Sequence, residues 1–148
     1  MRIMLLCTAL LALAAAPTPA SAQTGGQQIE QACVSSFVTE GSFMSGRNFR
    51  GAAVATGVGA SDAVQRVAQA LALQGRWRNI DGNRDLGTVS ALLGVGGNDQ
   101  AVTSLNIVIQ DTPEGARMTA VFSARGGLMV RLEPLRDMIC SALAGAAG

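Results

Sequence analysis

The sequence predicts a two-layer α+β domain: an antiparallel sheet of four to five strands packed by two main helices, with a further helix at the N-terminus. Three observations carry this. Leu105, Ile107 and Ile109 alternate with Asn106, Val108 and Gln110, and Met118, Ala120 and Phe122 with Thr119, Val121 and Ser123, the period of a sheet with one buried face. The segment Asp62–Gln74 and the stretch after Pro134 instead repeat apolar residues three and four apart, the period of an amphipathic helix. Finally, the strand-like segments are consecutive and joined by hairpin-length turns, which favours antiparallel pairing, and a sheet with one apolar face needs helices to cover it.

The first 22 residues read as a signal peptide. Met1 and Arg2 give a positive start, Ile3 to Ala16 is apolar and uncharged, and Ala20-Ser21-Ala22 supplies the small residues of a cleavage site. Pro17 and Pro19 end the apolar run well short of the roughly 20 residues of a membrane span. Cys7 follows Leu6 near the start of that run, so the pattern for lipidation is not met and no stable membrane anchor is expected. Cleavage after Ala22 would leave a mature domain in the periplasm or outside the cell.

Residues 23–28, Gln-Thr-Gly-Gly-Gln-Gln, read as a flexible leader to a single domain over 29–148. From Gln28 to about Val38, Ile29, Ala32, Cys33 and Phe37 recur at helical spacing, with Gly41 as a stop. Ser42 to Asn48 reads as a loop and Phe49 to Thr56 as a weak strand. In the central helix Asp62–Gln74, Ser61 is the expected N-cap, Asp62 suits the helix dipole, Val64, Val67, Ala68 and Leu71 form the stripe, and Gly75 is the stop. Arg76 to Asp81 and Thr88 to Leu93 are short strands around the turn Gly82-Asn83-Arg84-Asp85, and Gly94-Val95-Gly96-Gly97-Asn98-Asp99 is a glycine-rich loop. After the hairpin centred on Asp111 to Gly115, Pro134 suits the first turn of a last helix whose apolar face is Leu135, Met138, Ile139, Ala142 and Leu143.

Loss of the signal would remove Cys7 and leave Cys33 and Cys140. An even number of cysteines in an oxidising compartment points to a disulfide between them, against two free thiols or an intermolecular bond. Cys140 lies about 130° from the centre of its helix's apolar stripe, at 100° per residue. Its partner must come from beside or behind that helix, which places the Cys33 helix as a clasp outside the main layer.

The run Asp62–Gln74, Gly75-Arg76-Trp77, Asp81 and Gly87-Thr88-Val89-Ser90-Ala91, followed by a hairpin and a last helix, resembles small exported domains of proteobacterial envelope proteins. The helix-grip domains of the outer-membrane assembly lipoprotein of the Bam complex are similar in this way. The resemblance spans roughly residues 60 to 140 and implies a scaffold in the envelope; it carries over no site residues.

Composition narrows function further. The 11 basic residues are all arginine and oppose 10 acidic ones, and there is one Trp and no Tyr, so neither a phosphate-tracking stripe nor a base-stacking platform is expected: no nucleic acid. With no His, Ser-His-Asp and Cys-His arrangements and His-based zinc sites are excluded. Asp81-Gly82-Asn83-Arg84-Asp85 opens like a calcium loop, but Leu86 replaces the sixth-position glycine and Leu92 the twelfth-position glutamate. Gly57-Val58-Gly59 precedes a helix, yet the third glycine of a dinucleotide fingerprint falls on Asp62. The Asp81 and Asp85 carboxylates sit in an expected exposed turn, where nothing drives their pKa values apart. The sequence thus reads as a non-enzymatic envelope module without cofactor or metal, binding a protein partner through a sheet edge or through Arg76, Trp77 and Arg78. The alternative is a carrier of a small apolar ligand or lipid, held between sheet and helix by Leu71, Ile107, Met118 and Phe122.

Overall fold

The computed structural model describes residues 24–95 and 101–148. The expected signal segment lies outside them; of the expected glycine-rich loop Gly94–Asp99, Gly94 and Val95 instead close a strand and residues 96–99 lie outside the described residues. In chain order the elements are α1 (Gly25–Ser36), β1 (Val38–Ser42), β2 (Gly46–Thr56), α2 (Ala60–Leu73), β3 (Trp77–Asn83), β4 (Thr88–Val95), β5 (Ala101–Thr112), β6 (Gly115–Ala124) and α3 (Leu132–Ala144), closed by a 3-10 turn at Gly145–Ala147. The α+β architecture is the one the sequence predicts. The antiparallel sheet, however, has six strands rather than four to five, in the order β1-β2-β6-β5-β4-β3.

The additional strand is β1. All five of its residues are exposed, so it has no buried face and hence no alternation to read. Gly41 does not stop a helix; it sits in this strand at φ 92°, where an added Cβ would run into the Gly46 carbonyl oxygen. The segment read as a loop from Ser42 to Asn48 is reduced to the turn Phe43-Met44-Ser45, in which the Ser45 amide donates to Ser42 Oγ at 3.1 Å. Before β1 begins, Ser36 takes its place beside β2: its hydroxyl donates to the Ala52 carbonyl at 2.8 Å and accepts from the Ala52 amide at 2.9 Å.

The expected leader is mostly helix. Thr24 and Gln27 form a reciprocal cap, Thr24 Oγ1 accepting from the Gln27 amide and Gln27 Oε1 from the Thr24 amide, and this fixes the start of α1 at Gly25. Nor is α1 a clasp outside the layer. It buries Ile29 and Cys33 against both α3 and β2, on the same side of the sheet as the other helices. Gly51 in β2 makes this approach possible: an added Cβ would lie 2.8 Å from Phe37 Cδ2 and 3.0 Å from Cys33 Sγ. The helix layer therefore has three members over one sheet face.

That face is built from alternate residues, Phe49, Ala53 and Ala55 of β2, Ala116 to Ala124 of β6, Leu105, Ile107 and Ile109 of β5, Val89 and Ala91 of β4. Phe122 is the centre of a small aromatic cluster, with ring centroids 6.2 Å from Phe49 and 6.3 Å from Trp77. The alanines let the helices sit close, while Leu71, Leu135, Ile139 and Leu143 supply the bulk from above. The opposite sheet face bears Arg50, Asn106, Gln110 and Arg117 among its exposed residues.

The start of α2 differs from the sequence reading. Its N-cap is Gly59, not Ser61, and no side chain of its own bonds there. The cap comes instead from the β5–β6 hairpin, where Asp111 Oδ1 accepts from the Ala60 amide at 2.7 Å. A carboxylate at this position both satisfies an otherwise orphaned amide and complements the positive helix end.

Candidate protein-binding groove

Cys33 and Cys140 are joined, with an S–S distance of 2.06 Å and Cα atoms 5.4 Å apart, and both are fully buried. The bond holds α1 flat against α3 and so fixes the N-terminal side of the helix layer. It is a structural cross-link without an accessible sulfur.

Of the three residues proposed as an interaction surface, Arg76 and Arg78 are exposed but Trp77 is not. Trp77 is 6% exposed, and its indole N–H donates to Gln74 Oε1 at 2.7 Å while Gln74 Nε2 donates to the Met138 carbonyl at 2.9 Å. The chain Trp77–Gln74–Met138 ties β3 to α2 and α3. Strand alternation at the start of β3 sends Trp77 inward and its two arginine neighbours outward.

The residues proposed to line a ligand cavity, Leu71, Ile107, Met118 and Phe122, are at most 1% exposed and pack against one another within the core. The turn that resembles a calcium loop is held by its own bonds, with the Leu86 amide donating to Asn83 Oδ1 at 3.0 Å. Asp81 is a strand residue opposite Ser90. Among the described residues no three His, Cys, Asp or Glu side chains are grouped so as to hold a metal ion.

Two cavities lie at the margins of the fold instead. One, of about 220 Å³, is bounded by Gly25, Gln28 and Ile29 of α1 and by Val54 to Thr56 of β2. The larger, about 360 Å³, is a groove between α2 and the outermost strand β3. Val64, Gln65, Ala68, Gln69 and Ala72 form its helical wall, at the i, i+1, i+4, i+5 and i+8 positions of one face. Ile80, Gly82 and Arg84, alternate residues along β3 and into the turn, form the other. Small residues keep it open. A Cβ on Gly82 would stand 3.4 Å from both Ala68 Cβ and Val64 Cγ1, so any longer side chain there would fill the floor.

The groove has an apolar floor of Val64, Ala68, Ala72 and Ile80 under a rim of Gln65, Gln69 and Arg84. Leu73, 89% exposed, follows the lining residue Ala72, and Leu86, 72% exposed, lies two residues beyond Arg84. A bulge between Arg78 and Asp81, with Asn79 at φ 47°, interrupts the free edge of β3 beside it. Backbone pairing of a long added strand is thereby spoiled, a common protection of sheet edges. Side chains, not a strand ladder, are what this surface offers.

The sequence points to β3 but not to the residues of α2 that form the groove's other wall. A signal was present: Ala68 and Ala72 widen the apolar stripe of Val64, Val67 and Leu71 beyond what one core contact needs. Comparison of the chain with protein-family models, with curated proteins and with solved structures finds no match.

Proposed function

We propose that the chain is an exported, non-enzymatic module of the bacterial envelope that binds a partner protein, and that the α2–β3 groove receives a short extended apolar segment of that partner. The observation that carries this reading is the 360 Å³ groove itself, apolar at its floor and amide- and arginine-rimmed, with the exposed Leu73 and Leu86 close to its lining residues in the chain. Interfaces commonly combine an apolar centre with a polar rim. The export signal and the envelope resemblance in the sequence support the compartment. The carrier alternative would need space between sheet and helices at Leu71, Ile107, Met118 and Phe122, where these side chains fill the interior.

A photoreactive amino acid placed at Gln69, in the producing cells, tests this. A discrete crosslinked species is expected from Gln69, absent when the probe is at Arg117 on the opposite sheet face, and weakened at least tenfold by Ala72→Arg in the same chain. Equal crosslinking from both positions, or none from Gln69, refutes the reading.

A further inference from the structure

Among the described residues, the four most exposed large apolar side chains fall in two places: Leu73 and Leu86, close in the chain to the groove's lining residues, and Met44 and Met129, 82% and 81% exposed, at the end of the sheet where β2 begins and β6 ends. The second place is a built feature. The Phe43 carbonyl accepts from the Gly127 amide at 2.7 Å, and Gly126 lies so close to Met44 that an added Cβ would overlap the Met44 carbonyl oxygen. These contacts hold the β1–β2 turn against the β6–α3 connection, so that Phe43, Met44 and Met129 project from two adjoining loops.

Arg47 organises the base of these prongs. Its guanidinium lies 5.9 Å from the Phe43 ring centroid and 5.5 Å from that of Phe49, and donates to the Leu128 carbonyl at 3.4 Å. Arg125 and Arg131 are exposed on the same connection. Within residues 38–50 and 125–133, four arginines oppose two glutamates, a net charge of +2, whereas the whole chain carries +1, so that the remainder nets −1. Positive charge is therefore concentrated where the apolar prongs emerge.

Exposed apolar side chains that project from loops carrying the exposed arginines Arg125 and Arg131 match the two layers of an anionic bilayer surface, apolar below and phosphate above. We propose that this end of the domain docks reversibly on anionic membranes, with Phe43, Met44 and Met129 entering the headgroup boundary and Arg125 and Arg131 meeting lipid phosphates. Two thioethers and a partly exposed phenyl ring give a shallow contact. The association is accordingly peripheral, and salt weakens it as it weakens any attraction between exposed charges.

Co-sedimentation of the exported, oxidised protein with vesicles tests this. At low salt the protein is expected to sediment with phosphatidylglycerol-containing vesicles and far less with pure phosphatidylcholine. The exposed double substitution Met44→Ser with Met129→Ser should lower binding at least tenfold, and Arg125→Gln or Arg131→Gln about fivefold each, the worth of one cation near a charged surface. Circular dichroism of the variants, unchanged from the parent, separates loss of docking from loss of fold. Absence of vesicle binding, or binding that the double substitution leaves intact, overturns the proposal. So does a dimer in sedimentation velocity that the double substitution dissolves without any vesicle binding, since a second copy would then be what covers the patch.

Discussion

Breaking the Cys33–Cys140 bond should cost this domain more than any other single covalent change. The cross-link spans 107 residues, and closing a loop of about that length removes enough freedom from the unfolded chain to stabilise the fold by roughly 4.7 kcal/mol. Domains of this size are stable by about 5–15 kcal/mol in all, so the bond supplies from about three-tenths to nearly all of that total. At roughly 3–5 °C per kcal/mol for a domain of this size, the double variant Cys33→Ala/Cys140→Ala should melt on the order of 15 °C lower. Equilibrium urea unfolding provides the assay and a check on the mechanism. If the bond acts by confining the unfolded chain, its removal should also raise the denaturant slope, because the released chain expands and exposes more surface. Either single variant should lose nearly as much as the double, since one substitution already opens the loop. A double variant within about 1 kcal/mol of the parent would refute the reasoning; a large loss with an unchanged slope would leave the cost to packing of the sulfurs over Gly51.

Two further outcomes follow from particular contacts. Gly51→Ala forces a Cβ to 2.8 Å from Phe37 and 3.0 Å from a sulfur that the disulfide holds in place, so the urea midpoint should fall by the equivalent of about 1–3 kcal/mol, the usual cost of overpacking. Asp111→Ala removes the borrowed cap of α2 and should cost about 1 kcal/mol, with the earliest loss of amide protection at Ala60 in hydrogen exchange, whereas Ser61→Ala should change little.

What could be read from the chain follows from what each segment contacts. The β5–β6 hairpin and α2 were legible because each lays one regular apolar stripe on the common core, and period alone reveals that. The strand β1 was hidden because an edge strand with five exposed residues imposes no pattern on its sequence. The cap of α2 was misplaced for a different reason. Ser61 is a good capping residue by type, but the site is occupied by a carboxylate 51 positions away, and no local rule anticipates a tertiary cap. The candidate groove was half legible: β3 was read as a strand, yet Trp77 drew attention to its start, while the groove lies further along against α2, where alanines, a glycine and two glutamines stand among its lining residues. Small residues signal space as well as weak packing. Which of the two they mean depends on a neighbour that the local sequence does not name.

The disulfide also changes what a protease can do to the molecule. Residues 33 to 140 form a closed covalent ring that contains every strand of the sheet. A single cut within it, for example after Arg84 in the exposed β3–β4 turn, opens the ring but frees no fragment, and the new ends stay tethered beside the sites they occupied. The nicked molecule keeps its parts at high effective concentration. Two cuts are needed before a strand can leave, a margin that the same chain without the bond would lack.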